Sequence, residues 1–346
     1  MNTHAPRLRP LIINRRKHVE FEQPPSLASG YISPDLQPNT PPTFPGSSSE
    51  DSHCGVSKIG RYLLTKLVDT VGIVDIYNAY HCDTQQEYVC KVIPLEKYRS
   101  VLAPYWQTGS HKYLNEIEEI ILGVTKAYVF FARHYGDLHS YVRRRRRLKE
   151  HEASRLFLQI VHAVLHCHES GVVLRDLKLR KFVFKNPERT QLKLESLEDA
   201  YVLEDENDDR LMDKHGCPAY VSPEILTASH SYSGRAADTW SLGVMAYTML
   251  IGRYPFHDVE PSTLFTKIRR GQYSIPDTIT SLAKCLIRSL LRHEPTERLT
   301  ADQILQHPWF TLSARISCGK RSNDKDSDQT VPDFASDKVE EEPFFV

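Results

Sequence analysis

Apolar, β-branched and aromatic residues cluster over Tyr62–Leu64, Ile73–Tyr80 and Tyr88–Ile93, and polar or glycine-containing turns separate the three runs. Short runs of this kind bounded by turns mark strands, so this part of the chain is expected to be β-rich. Asn115–Gly123 reads as a short helix closed by Gly123, and Ala127–Phe131 as a buried strand. The pattern then changes. A helix opens at Asp137 and runs into Arg143–Arg147, five arginines that face all round it and so point mostly to solvent, an acidic partner surface being the other reading. Ala153, Leu156, Phe157, Ile160, Val164 and Cys167 recur at helical spacing, which predicts an amphipathic helix over 150–170 ended by Gly171. Asp238–Leu250 is apolar nearly all round, the pattern of a buried helix, with Gly252 as its stop. Pro261–Arg270, Ser281–Leu291 and Thr300–Gln306 complete the helices, the last with Thr300 as N-cap and Gln303 at the capping-box position. The expected fold class is α+β, a small β-rich lobe followed by a larger helical one.

The flanks differ from this body. Residues 1–57 are rich in Pro and Ser, and 311–346 are polar and acidic without periodicity. Both lack the apolar residues a core needs, so a disordered N-terminal region, a folded domain over 58–310 and a flexible C-terminal tail are expected. Arg15-Arg16-Lys17 reads as a solvated basic cluster, with nuclear import as the other reading. Net charge is zero at 346 residues, which gives no global attraction to nucleic acid or membrane. The seven cysteines show no C-x-x-C spacing, so neither a zinc site nor a disulfide framework is expected, and a reducing compartment fits. No apolar run approaches the roughly 18 residues of a membrane span, and the basic, Pro-rich start has no secretory apolar core.

The chemistry concentrates in Leu174-Arg175-Asp176-Leu177-Lys178-Leu179-Arg180-Lys181. It resembles the catalytic loop of protein kinases, H-R-D-L-x-x-x-N, with Leu174 for the His and Lys181 for the Asn. Other stretches resemble kinase motifs in the same order. Val89-Cys90-Lys91 matches the strand lysine and Ser222-Pro223-Glu224 matches A-P-E. Asp238-Thr239-Trp240-Ser241-Leu242-Gly243 matches the helix beneath the catalytic loop. Arg298 matches the late arginine that pairs with Glu224, and His307-Pro308-Trp309-Phe310 the end of the domain. The resemblance implies a bilobal protein kinase-like fold, with Glu224–Arg298 as a structural ion pair and Asp238 accepting from the catalytic-loop backbone.

The nucleotide machinery departs from that pattern. Asp69, Val71 and Val74 stand where the lid glycines belong, with Gly72 out of register. The D-F-G position is Ser196-Leu197-Glu198. With Lys181 in place of Asn, both protein ligands of the magnesium ions are missing, and Glu198 is a carboxylate that could rescue the metal although it replaces the Gly of the turn. No Ser or Thr lies between Glu198 and Ser222, and the acidic run Glu204–Asp209 occupies part of that segment. Cys217 stands where active Ser/Thr kinases carry a Thr beside the catalytic Asp. Lys91, Asp176 and Lys178 remain. They read as vestigial, with Lys91 paired to Glu116, Glu118 or Glu119 and Asp176 holding its loop. No cofactor is expected, with weak, metal-free ATP binding as the alternative.

Leu174–Phe184, Leu194–Ala200 and Asp213–Tyr220, with S-L-E in place of D-F-G, resemble the Tribbles pseudokinases, and Pro94 with Ala103-Pro104-Tyr105 resembles the third vertebrate type. Asp328-Gln329-Thr330-Val331-Pro332-Asp333 resembles the tail peptide of that family. The resemblance implies a catalytically inactive scaffold. Its tail would engage a constitutive photomorphogenic-type E3 ubiquitin ligase, and its body would dock CCAAT/enhancer-binding transcription factors. Pro332 biases Val331 to extended backbone, which lowers the ordering entropy of such binding. MAP kinase kinases and Akt are further implied partners, the former through Ile304, Leu305, His307, Pro308, Trp309 and Phe310. Phe344-Phe345 suggests an apolar contact folding back on the body. The implied location is nucleus and cytoplasm. The enzyme alternative is a weak magnesium-independent kinase, and the other is a decoy inhibitor of active kinases.

Overall fold

The structure, a computed structural model, describes residues 57–227 and 231–311. The sequence readings on 1–56 and on 312–346, including Asp328–Asp333 and Phe344-Phe345, lie outside the described residues. Six antiparallel strands form the first lobe: β1 (Ser57–Ile59), β2 (Tyr62–Val71), β3 (Val74–His81), β4 (Glu87–Pro94), β5 (Ile117–Leu122) and β6 (Lys126–Ala132), in the spatial order β1-β2-β3-β4-β6-β5. Alternation places Tyr62, Leu64, Ala79, Cys90, Val92 and Phe130 in a small core on one side of the sheet. Val74, Ile93, Val129 and Phe131 join the main core, which continues into the helical lobe.

One expectation fails here. Asn115–Gly123 is not a helix, since Ile117–Leu122 pairs with β6 as an edge strand. Three isoleucines in six residues suit a half-buried pleated surface better than a helix. The helix of this lobe is α1 (Tyr98–Thr108), which the sequence pattern does not announce. It has Pro104 in its interior and no side-chain N-cap, so local propensity opposes it. Burial of Leu102, Tyr105 and Thr108 against the body holds it in place.

The second lobe follows the predicted helices closely. Asp137 caps α2 (Leu138–Arg145), its side chain accepting from the Ser140 amide at 2.8 Å. Next come α3 (Glu150–Glu169), β7 (Val172–Val173), a 3-10 turn at Leu179–Lys181, β8 (Phe182–Phe184) and β9 (Leu192–Leu194). The segment beyond holds β10 (Tyr201–Val202), β11 (Arg210–Leu211), α4 (Pro223–Thr227) and β12 (Tyr232–Ser233). Then follow α5 (Gly234–Ile251), α6 (Pro261–Arg270), α7 (Ser281–Leu290), a 3-10 turn at Pro295–Glu297 and α8 (Ala301–Leu305). The α5 helix is buried on nearly every face, as its continuous apolar pattern requires, but starts four residues earlier than expected because Ser233 caps it. Thr300 and Gln303 form the capping box of α8.

Candidate functional site

The catalytic-loop stretch hangs from α5. Asp238 is buried, and its Oδ2 accepts from the Leu174 amide at 2.8 Å and lies 2.9 Å from His168 Nε2. Its Oδ1 accepts from the Arg175 amide at 2.9 Å. Arg175 sits in the left-handed region at φ +60°, a conformation a long side chain rarely adopts, and these bonds hold it there. Glu224 and Arg298 form a two-pronged pair at 2.6 and 2.7 Å. The same guanidinium donates to the Arg292, Ala236 and His293 carbonyls and lies 5.0 Å from the Trp240 ring. These scaffold roles match the sequence reading.

The expected partner of Lys91 does not. Lys91 is fully buried on β4, and its ammonium contacts Glu195 at 2.7 Å and Glu198 at 2.8 Å, not Glu116, Glu118 or Glu119. The reason lies in α1, which faces Lys91 but carries no carboxylate in its eleven residues. Tyr105 takes that place, donating its hydroxyl to Glu198 at 2.8 Å and accepting from the Leu197 amide at 3.1 Å. Burial opposes the Lys91 charge, but Glu195 and Glu198 override it and hold its pKa well above the usual lysine value. Burial likewise pushes Glu195 up, and the Lys91 ammonium more than offsets this, leaving that carboxyl below its usual range. Burial and the adjacent Glu198 charge raise the Tyr105 phenol far above its ordinary value.

Lys181, at the Asn position, likewise pairs with carboxylates. It donates to Asp199 at 2.7 Å and stands 3.6 Å from Asp176, to which Lys178 donates at 2.6 Å. Burial raises the Asp199 carboxyl and the Lys181 charge lowers it, with a net fall. Ser196 offers only a hydroxyl, and Leu197 is buried in the core. A magnesium–nucleotide pair needs free carboxylate oxygens between Lys91 and the catalytic loop. Here one oxygen each of Glu195, Glu198, Asp199 and Asp176 is bound to an ammonium group, and a site whose carboxylates are already neutralised by lysines does not fit that ion. Asp176 Oδ1 is buried with no partner among the described residues. The lid is aliphatic. Val71 pairs with Val74 across a two-residue turn whose first member, Gly72, has φ +58°. Gly72 therefore serves the hairpin, and Val71 and Ile73 are exposed at the tip.

The segment after Glu198 is ordered by its own carboxylates. Arg175 donates to the Asp199 carbonyl at 2.8 Å and to Asp213 at 2.5 Å. Asp209, in the acidic run, accepts from Ser233 Oγ at 2.6 Å and the Arg235 amide at 2.9 Å, tying the run to the start of α5. Cys217 is half-buried near Lys178 and Asp176, and burial pushes its thiol up. Of the suggested docking segment, Ile304, His307, Trp309 and Phe310 are buried, and Trp309 and Phe310 pack on Phe157. Those side chains serve packing, which leaves Pro308 exposed. The Glu195, Tyr105 and Asp213 roles escaped sequence reasoning, and the absence of a carboxylate in 98–108 signalled only the changed pairing of Lys91.

Residues 70–310 match the family described as protein kinase domain. The chain is 55% identical to Tribbles homolog 2 of Canis lupus familiaris over 334 residues, 96% of this chain and 95% of that protein. It is 54% identical to Tribbles homolog 1 of Homo sapiens over 323 residues, 92% and 84% of the two chains. Against Tribbles homolog 3 of Mus musculus the identity is 50% over 300 residues, 87% and 83%. These identities do not single out the third type.

Proposed function

The chain belongs to the Tribbles family of pseudokinases, and from that premise we propose that it is a catalytically inactive adaptor for ubiquitination. In this reading the kinase-like body docks substrates such as CCAAT/enhancer-binding transcription factors. Asp328–Asp333 recruits the constitutive photomorphogenic-type E3 ligase, and the substrate is ubiquitinated and degraded. MAP kinase kinases and Akt are proposed further partners, in nucleus and cytoplasm. The observation that carries the inactive half is the pairing of Lys91 with Glu195 and Glu198 and of Lys181 with Asp199. Phosphoryl transfer draws several kcal/mol from metal charge at the phosphate oxygens, and a lysine cannot coordinate as magnesium does. The adaptor half rests on the tail sequence and on the linker beyond Phe310, which would set the effective concentration of ligase at the substrate. Reconstituted ubiquitination tests it. Deleting Asp328–Asp333 should abolish substrate ubiquitination and leave substrate binding intact, whereas undiminished ubiquitination would reject the adaptor role.

One observation favours a second reading, a weak metal-free kinase: Asp176 keeps a buried oxygen without a partner. Under that reading Asp176→Asn abolishes autophosphorylation of highly purified protein. Activity that survives the change would come from a contaminant.

A further inference from the structure

Six of the seven residues from Arg143 to Lys149 are basic, and all six are exposed, on the last turn of α2 and the link to α3. Arg145 is engaged by Glu152 at 3.3 Å and lies 4.7 Å from the Tyr141 ring. Among the described residues Arg143, Arg144, Arg146, Arg147 and Lys149 have no carboxylate partner. Further guanidinium groups border the run. Arg189 also lies over the Tyr141 ring, at 5.7 Å. Arg180 is exposed on the turn after Asp176, and burial, Arg180 and Arg143 together hold the His139 imidazole below its ordinary value against the pull of Asp137. The Arg146 carbonyl closes on Gly252, which brings the exposed Arg253 alongside. The carboxylates nearby are already used. Asp137 caps α2, Glu152 holds Arg145 and Tyr141, and Glu150 accepts from Thr280 and Trp309.

Helix stability does not account for this ridge. The helix dipole favours cations at a C-terminus, but its effect ends with the last turn, and adjacent like charges repel. Arg146 and Arg147 lie beyond α2, and Arg146 takes φ +66°, where a glycine would be relaxed. The fold holds an arginine where strain and repulsion both oppose it, so the surface suits an anionic occupant. Its composition selects which one. Leu138, Tyr141, Val142 and Leu148 are buried, and no large apolar side chain of 138–149 is exposed. An acidic protein partner would lack the apolar anchor on which most interface energy rests. A single nucleic-acid strand would lack a ring on which to stack its bases. A layer of phosphate headgroups needs neither. Anionic membrane surfaces attract clusters of about four to eight basic residues, and guanidinium forks bind phosphate oxygens in pairs. We infer that the arginine ridge of α2 docks the protein peripherally on an anionic lipid surface. The zero net charge of the whole chain does not oppose this, since salt confines the attraction to about 10 Å and the ridge alone faces the lipid. Docking of this kind is reversible and sensitive to salt.

Vesicle flotation with the full chain tests this. The probes are phosphatidylcholine vesicles, the same vesicles with about one-fifth phosphatidylserine, and a third set carrying phosphatidylinositol bisphosphate at matched charge. Binding is expected to the two anionic sets and not to the neutral one. It should fall at least about tenfold in the Arg143→Gln, Arg144→Gln, Arg147→Gln variant and at least about fivefold in roughly 0.5 M NaCl. No binding to either anionic set, or undiminished binding in that variant, overturns the inference. A second measurement needs no substitution. Amide exchange over 138–149 in the parent should slow on anionic vesicles, and unchanged exchange there contradicts the docking. A single-stranded RNA or a polyglutamate peptide that binds the ridge while the vesicles do not would assign it to nucleic acid or to an acidic protein, and would overturn the lipid assignment.

Discussion

Lys91→Met should destabilise the body. Lys91 is 2% exposed and compensates two carboxylates, Glu195 and Glu198, at 2.7 and 2.8 Å. Removing the cation leaves both in a largely buried setting, and breaking such a pair costs about 3–5 kcal/mol. The two carboxylates keep some access to water, 22% and 15% of their side chains, which favours the lower end, about 3 kcal/mol. For a body of about 250 residues each kcal/mol moves Tm by about 2–4 °C, so a fall of roughly 6–12 °C is expected in thermal unfolding followed by circular dichroism. The pH dependence carries a sign. In the parent, Glu195 is held below its usual range by Lys91 against the opposing effect of burial. A depressed carboxylate contributes stability above its unfolded pKa and loses it as pH falls through the folded one. In the variant burial, opposed only by the weaker effects of His134 and Lys181, favours the neutral acid, so the gap between the proteins should narrow below about pH 5. A variant within 2 °C of the parent, with no pH dependence of the difference, would refute the claim that Lys91 neutralises these carboxylates.

Three further changes probe other parts of the frame. Tyr105→Phe removes the donor to Glu198 and the acceptor of the buried Leu197 amide, and should cost about 1–3 kcal/mol by urea denaturation. Glu224→Gln breaks the two-pronged pair to Arg298, and should lower stability by about 3 kcal/mol, read as a lower urea midpoint at unchanged m-value. Gly252→Ala forces a side chain into φ +84° and drives its Cβ into the Arg146 carbonyl, so a loss of at least about 2 kcal/mol or of soluble protein is expected, checked by expression and thermal unfolding.

The helical lobe was legible because its signals are local. Glycine stops at 171 and 252, the capping box at Thr300 and the all-round apolar α5 each announce themselves in neighbouring residues. The first lobe's helix was not, because α1 contains Pro104 and forms through tertiary burial of Leu102 and Tyr105. The same holds at the site. Loss of the metal ligands is read directly from Lys181 and Ser196, but what replaces them is not. Glu195 and Glu198 reach Lys91 across about a hundred residues, and no sequence period encodes such a meeting. The expected pairing with Glu116, Glu118 or Glu119 failed because it assumed a helix over 115–123, whereas those residues lie on or beside an edge strand.

The central claim is that the chain's own lysines neutralise the carboxylates that would otherwise hold magnesium. Titrating ATP into the full chain by calorimetry, with and without magnesium, tests it most directly. The account predicts that any heat of ATP binding is the same in both titrations. An ATP affinity that rises tenfold or more on adding magnesium would contradict it.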